Sequence, residues 1–76
     1  QAYVSMYPNP ANSVLNLKAN TEIQLITITN NLGQVVYTGN VDQQETRIDI
    51  SAYKAGMYIV KIETVNGTAT QKLMVN

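Results

Sequence analysis

Glu22-Ile23-Gln24-Leu25-Ile26-Thr27-Ile28-Thr29 is the stretch that decides the fold. It is rich in β-branched residues, which are stiff at χ1 and fit a pleated surface better than a helix. The run largely alternates, so Ile26 and Ile28 share one face. Asn31-Leu32-Gly33 follows, a connection of hairpin length with a glycine free to take positive φ, and the apolar pattern resumes at Val35. A strand, a turn and a returning strand are the expectation.

The same reading extends in both directions. Arg47-Ile48-Asp49-Ile50 alternates cleanly, with Asp49 pointing away from the core face. Tyr58, Val60 and Ile62 fall on one face, and Met57, Ile59, Lys61 and Glu63 on the other. Leu15 and Leu17 repeat the pattern near the start, and Leu73 and Val75 near the end, with Lys72 and Met74 outward. Ile28, Ile48, Ile50, Tyr58, Val60, Ile62 and Leu73 are the expected core, with the Tyr58 hydroxyl bonded at its rim. Between the runs, Gly39-Asn40 is expected to end a strand over residues 35–38. Asn66-Gly67 favours a type I′ turn, and residues 51–56 read as one helical turn closed by Gly56. Gly33 and Gly56 sit at reversals where positive φ is expected. Each proline of Pro8-Asn9-Pro10 fixes φ and extends the residue before it, which predicts a stiff polyproline-like lead. Short strands with frequent turns indicate an all-β fold, a sandwich of about seven strands in two antiparallel sheets.

Composition narrows the function. Seventy-six residues make one domain, and a chain of this size buries only roughly 60% of its unfolded surface. There is no cysteine, so neither a disulfide nor a thiolate metal site is available. Five basic residues balance five acidic ones, which argues against the basic patch a nucleic-acid partner requires. No apolar run approaches the ~18 residues of a membrane helix, and no signal peptide is visible. Gln1 in place of Met is read as the mark of a cut from a longer precursor, and Gln1-Ala2 as a frayed lead.

Catalysis finds little support. Histidine is absent along with cysteine, so Ser5, Ser13 and Ser51 have no partner of the usual kind to activate them. The carboxylates Glu22, Asp42, Glu45, Asp49 and Glu63 are scattered, with no spacing that selects a glycosidase pair. Asp42-Gln43-Gln44-Glu45 lacks the spacing of a calcium loop, and no metal or other cofactor is expected. Tyr3, Tyr7 and Tyr37 leave a sugar platform as a minority reading, and nothing points to a small-molecule substrate. Asn66-Gly67-Thr68 matches a glycosylation sequon, but the hairpin turn explains it without one.

Several short motifs stand in fixed order: Tyr7-Pro8-Asn9-Pro10, Asn31-Leu32-Gly33-Gln34-Val35-Val36, Ile48-Asp49-Ile50-Ser51, Gly56-Met57-Tyr58-Ile59-Val60-Lys61-Ile62, and Lys72-Leu73-Met74-Val75 at the end. Their order, spacing and placement resemble the type A C-terminal sorting domain of proteins exported by the type IX secretion system of Bacteroidota. The resemblance covers residues 7–76, leaving residues 1–6 as the end of a linker or a first edge strand. It implies a small immunoglobulin-like sandwich that is a substrate of export and not an enzyme. Implied partners are the type IX translocon, an outer-membrane shuttle protein and a surface sortase that removes the domain. The implied location is the periplasm in transit, then the cell surface or the medium of a Gram-negative cell. By the same resemblance, Lys72, Leu73 and Val75 belong to what the machinery recognises. Pro8, Asn9, Pro10, Gly33, Gly56 and Tyr58 belong to the structural motifs. Many members end in lysine where this chain has Asn76, which leaves the role of a terminal charge open. The alternative reading is an accessory sandwich that spaces domains or binds a polymer or carbohydrate in a secreted enzyme. Exposed strand edges also leave room for a weak dimer.

Overall fold

A computed structural model describes residues 3–76; Gln1 and Ala2, read above as a frayed lead, lie outside the described residues. Five strands run in chain order: β1 (Val4–Tyr7), β2 (Val14–Asn30), β3 (Val35–Asp49), β4 (Gly56–Thr64) and β5 (Gly67–Val75). All pairings between them are antiparallel.

The long strand β2 organises the rest. β3 runs along one edge of it, from Val14↔Asp49 to Thr29↔Val35. The other edge is shared: β1 pairs with its N-terminal part, from Tyr7↔Asn16 to Val4↔Ala19, and β4 with its C-terminal part, from Ile23↔Thr64 to Asn30↔Tyr58. β5 then pairs with β4. The sheet folds over on itself where register shifts between Lys18 and Leu25 bend β2, as a bulged strand does when it passes between two layers. Inward positions change parity at the second of these shifts: Leu15, Leu17, Ala19 and Ile23 are buried, and beyond it Ile26 and Ile28. β3 turns the same corner at Asp42, which takes φ of 58°.

This explains why five strands appear where about seven were expected. The Leu15–Leu17 and 22–29 runs are one strand, and so are the 35–38 and 47–50 runs. Gly39-Asn40 does not end β3, because the Tyr37 ring lies over Gly39; a Cβ added there would meet the Tyr37 hydroxyl at 2.7 Å. An aromatic neighbour thus covers the position where glycine has no side chain to pack.

One apolar core fills the space between the layers. It holds Leu15, Leu17, Ile23, Ile26, Ile28, Ile48, Ile50, Tyr58, Val60, Ile62, Leu73 and Val75, with Ala11 and Ala19. All seven residues expected in the core from alternation are buried.

Three connections need correction. Residues 51–56 form no helical turn; the Tyr53 N–H donates to the Ile50 carbonyl in a tight turn, and Gly56, at φ 148°, opens β4. In the β4–β5 hairpin the pair Thr64↔Gly67 encloses Val65 and Asn66. Asn66 does not take the positive φ that a type I′ turn at Asn66-Gly67 demands; Gly67 does, at 132°. The Thr64 hydroxyl sets this turn by donating to the Gly67 carbonyl and accepting from the Asn66 N–H. Residues 8–10 bend, with cis peptide bonds at Tyr7–Pro8 and Asn9–Pro10, in place of a polyproline-like lead.

The Asn31-Leu32-Gly33 hairpin is as expected, with Gly33 at φ 82°. Asn30 ties it together: its Oδ1 accepts from the Leu32 and Gln34 N–H groups, and its Nδ2 donates to Gln34 Oε1.

Candidate recognition strand

β5 is the end of the β1-β2-β4-β5 path. Alternation divides its side chains. Leu73 (0% exposed) and Val75 (2%) point into the core, while Met74 (44%) and Lys72 point out. Across the ladder Leu73 faces Tyr58 and Val75 faces Gly56; on the outer face Lys72 faces Ile59 and Met74 faces Met57. The expected motif residues Gly56 and Tyr58 are therefore the direct partners of the last strand.

Tyr58 is held from two sides. Its hydroxyl donates to the Lys54 carbonyl at 2.7 Å, and its ring lies 5.4 Å from that of Tyr53. Partial burial, helped by nearby Tyr37, Tyr58 and Asp49, pushes the Tyr53 phenol above its ordinary value. Gly33 is near the same end, because its hairpin leaves β2 at Asn30, the partner of Tyr58.

The Pro8-Asn9-Pro10 motif also reaches β5, from the opposite edge. Asn9 Nδ2 donates to the Lys72 carbonyl and Asn9 Oδ1 accepts from the Met74 N–H, both at 3.0 Å. Beyond it, the Ala11 N–H donates to the Met74 carbonyl at 2.8 Å and the Asn76 N–H donates to the Ala11 carbonyl at 2.9 Å. Ala11 is fully buried and bridges Val75 in parallel. The first and last motifs of the chain thus form one structure. Ala11 escaped the sequence reading because a lone alanine after a proline carries no periodic signal.

The remaining polar residues are structural or solvated. The Ser51 hydroxyl, and then its N–H at 2.9 Å, hold the Asp49 carboxyl below its ordinary value. Asp42, Gln43, Gln44 and Glu45 are exposed on the corner of β3. Among the described residues, no three His, Cys, Asp or Glu side chains are grouped as a metal site would need, and no helix is long and apolar enough to cross a membrane.

The fold defines a small immunoglobulin-like β-sandwich. Its architecture is similar to the crystal structure of a DUF3244 family protein from Bacteroides vulgatus, described as an immunoglobulin-like β-sandwich, with a TM-score of 0.65 over 93% of this chain and 94% of that one. Identity is 20%, so this likeness shows the fold alone. The chain belongs to the C-terminal sorting domain family of the type IX secretion system: the family described as "Secretion system C-terminal sorting domain" matches residues 5–76. No curated protein matches it. Membership makes the chain a type IX sorting signal, with the type IX system as its partner and export toward the outer membrane, to the surface or the medium, as its route.

Proposed function

We propose that this domain is the non-catalytic address of a larger cargo protein. It accompanies the folded cargo through the periplasm to the type IX translocon, engages an outer-membrane shuttle protein, and is removed by a surface sortase.

The observation that carries the reading is the two-sided character of β5 within a chain matched over residues 5–76. Leu73 and Val75 are buried, so any part they play in recognition passes through the position of the strand. Lys72 and Met74 are what the closing motif of β5 offers directly: a cation and a flexible thioether on the outer face, beside Met57 and Ile59. Strand addition to the edge is open to fewer backbone groups than a bare edge strand would have, because residues 9–11 already occupy part of it.

The test is export of a reporter carrying this domain with Lys72→Ala or Met74→Ala. Both side chains are exposed, so stability should change by no more than about 0.5 kcal/mol. Export that falls at an unchanged melting temperature supports direct reading of these side chains. Unchanged export by both variants removes them from the recognition surface.

A further inference from the structure

The C-terminal part of the outer edge of β5 is closed by the chain itself, and the geometry assigns residues 9–11 the role of an edge guard that keeps this part of β5 from pairing with a second copy of this chain. The inference rests on hydrogen-bond geometry and stands apart from the sorting function. β5 ends the sheet, and a terminal strand exposes a row of unpaired N–H and C=O groups that template pairing with another chain. In β5 the Lys72 carbonyl, the Met74 N–H and carbonyl, and the Asn76 N–H point outward, and each of these four has a partner in residues 9–11.

The guard is built from two kinds of group. A carboxamide offers the same donor and acceptor as a peptide group. The Asn9 side chain therefore fills one rung of the ladder, and the Ala11 backbone fills the next. Asn9 stands between Pro8 and Pro10, neither of which has an N–H to donate. The strap closes the last rungs of one edge without presenting a full new one. Asn9 is exposed and lies 63 residues from Lys72 in sequence, so its rung of the strap is held by hydrogen bonds that a single substitution removes. Once those bonds are broken, the freed groups of one β5 would face those of another across a two-fold axis, the self-complementary arrangement of a symmetric dimer.

The test compares the whole chain with its Asn9→Ala variant by amide hydrogen exchange and by sedimentation over a concentration series. The Met74 amide should exchange roughly tenfold faster in the variant, the scale set by losing a pair of hydrogen bonds. The Leu73 amide faces β4 and should stay protected. The variant should form a concentration-dependent dimer where the parent chain remains a monomer. Unchanged Met74 exchange would overturn the inference, and so would faster exchange in a variant that stays monomeric at every concentration. Should Asn9→Ala fail to fold, Asn9→Leu keeps a side chain of similar size and removes both bonds, the donor to the Lys72 carbonyl and the acceptor for the Met74 N–H. It should dimerise too; a strictly monomeric Asn9→Leu chain would count against the guard.

Discussion

Tyr58 donates its hydroxyl to the carbonyl of Lys54 at 2.7 Å, so a core residue of β4 fastens the turn that delivers the chain into that strand. Its ring is 7% exposed and opposite Leu73. Tyr58→Phe keeps the apolar contact and removes one partly buried hydrogen bond. It should destabilise the domain by about 1 kcal/mol, which lowers the melting temperature of a domain this small by roughly 4–8 °C. A denaturation midpoint that falls at constant slope is the expected record.

Val60 is fully buried at the middle of β4, and its neighbour Lys61 is exposed. Val60→Ala should cost roughly 1–3 kcal/mol through reduced burial and the cavity left behind. Lys61→Ala should stay within about 0.5 kcal/mol. Parallel urea titrations check both, and equal effects at the two positions would mean that the alternation of β4 is misassigned.

Gly33 separates backbone strain from crowding. Its φ is 82°, and a Cβ built on it meets nothing within 4 Å. Gly33→Val should therefore destabilise by more than about 1 kcal/mol through conformation alone. Gly33→Asn should cost less, since asparagine visits the left-handed region more readily. At Gly39 the obstacle is steric instead, the Tyr37 hydroxyl, so replacing Tyr37 with a smaller residue should make Gly39→Ala easier to bear.

Asp49 provides a pH signature. The Ser51 hydroxyl and N–H favour its charged form and lower its folded-state value. A depressed value contributes stability that is fully present above the unfolded carboxyl value of about 3.9 and is lost as pH falls through the folded one. The stability difference between the parent chain and Asp49→Asn should accordingly be flat near neutrality and shrink only in the acid limb. A difference that instead grows on acidification would reverse the assignment.

The core was legible because alternation is a local signal. Ile48, Ile50, Tyr58, Val60, Ile62 and Leu73 are buried as their spacing requires. Gly33 and Gly56 take positive φ because each marks a real reversal. Continuity of the strands was not legible. A bulge resets the alternation between Ile23 and Ile26, so one bent strand reads as two short ones. Gly39 reads as a stop because the covering ring of Tyr37 is visible only in three dimensions. The strap on β5 was hidden for a related reason: the bonds from Asn9 to Lys72 and Met74 span 63 and 65 residues and leave no local pattern. Sequence order alone placed these two motifs at opposite ends of the chain, and the fold joins them.

The most direct measurement of the account is the distribution of a periplasmic reporter fused to the N-terminus of this whole chain, in a Bacteroidota host with and without its type IX translocon. The account predicts reporter at the cell surface or in the medium of the intact host, and reporter held in the periplasm when the translocon is absent. Equal distribution in the two hosts, or export that persists after removal of residues 72–76, would contradict it.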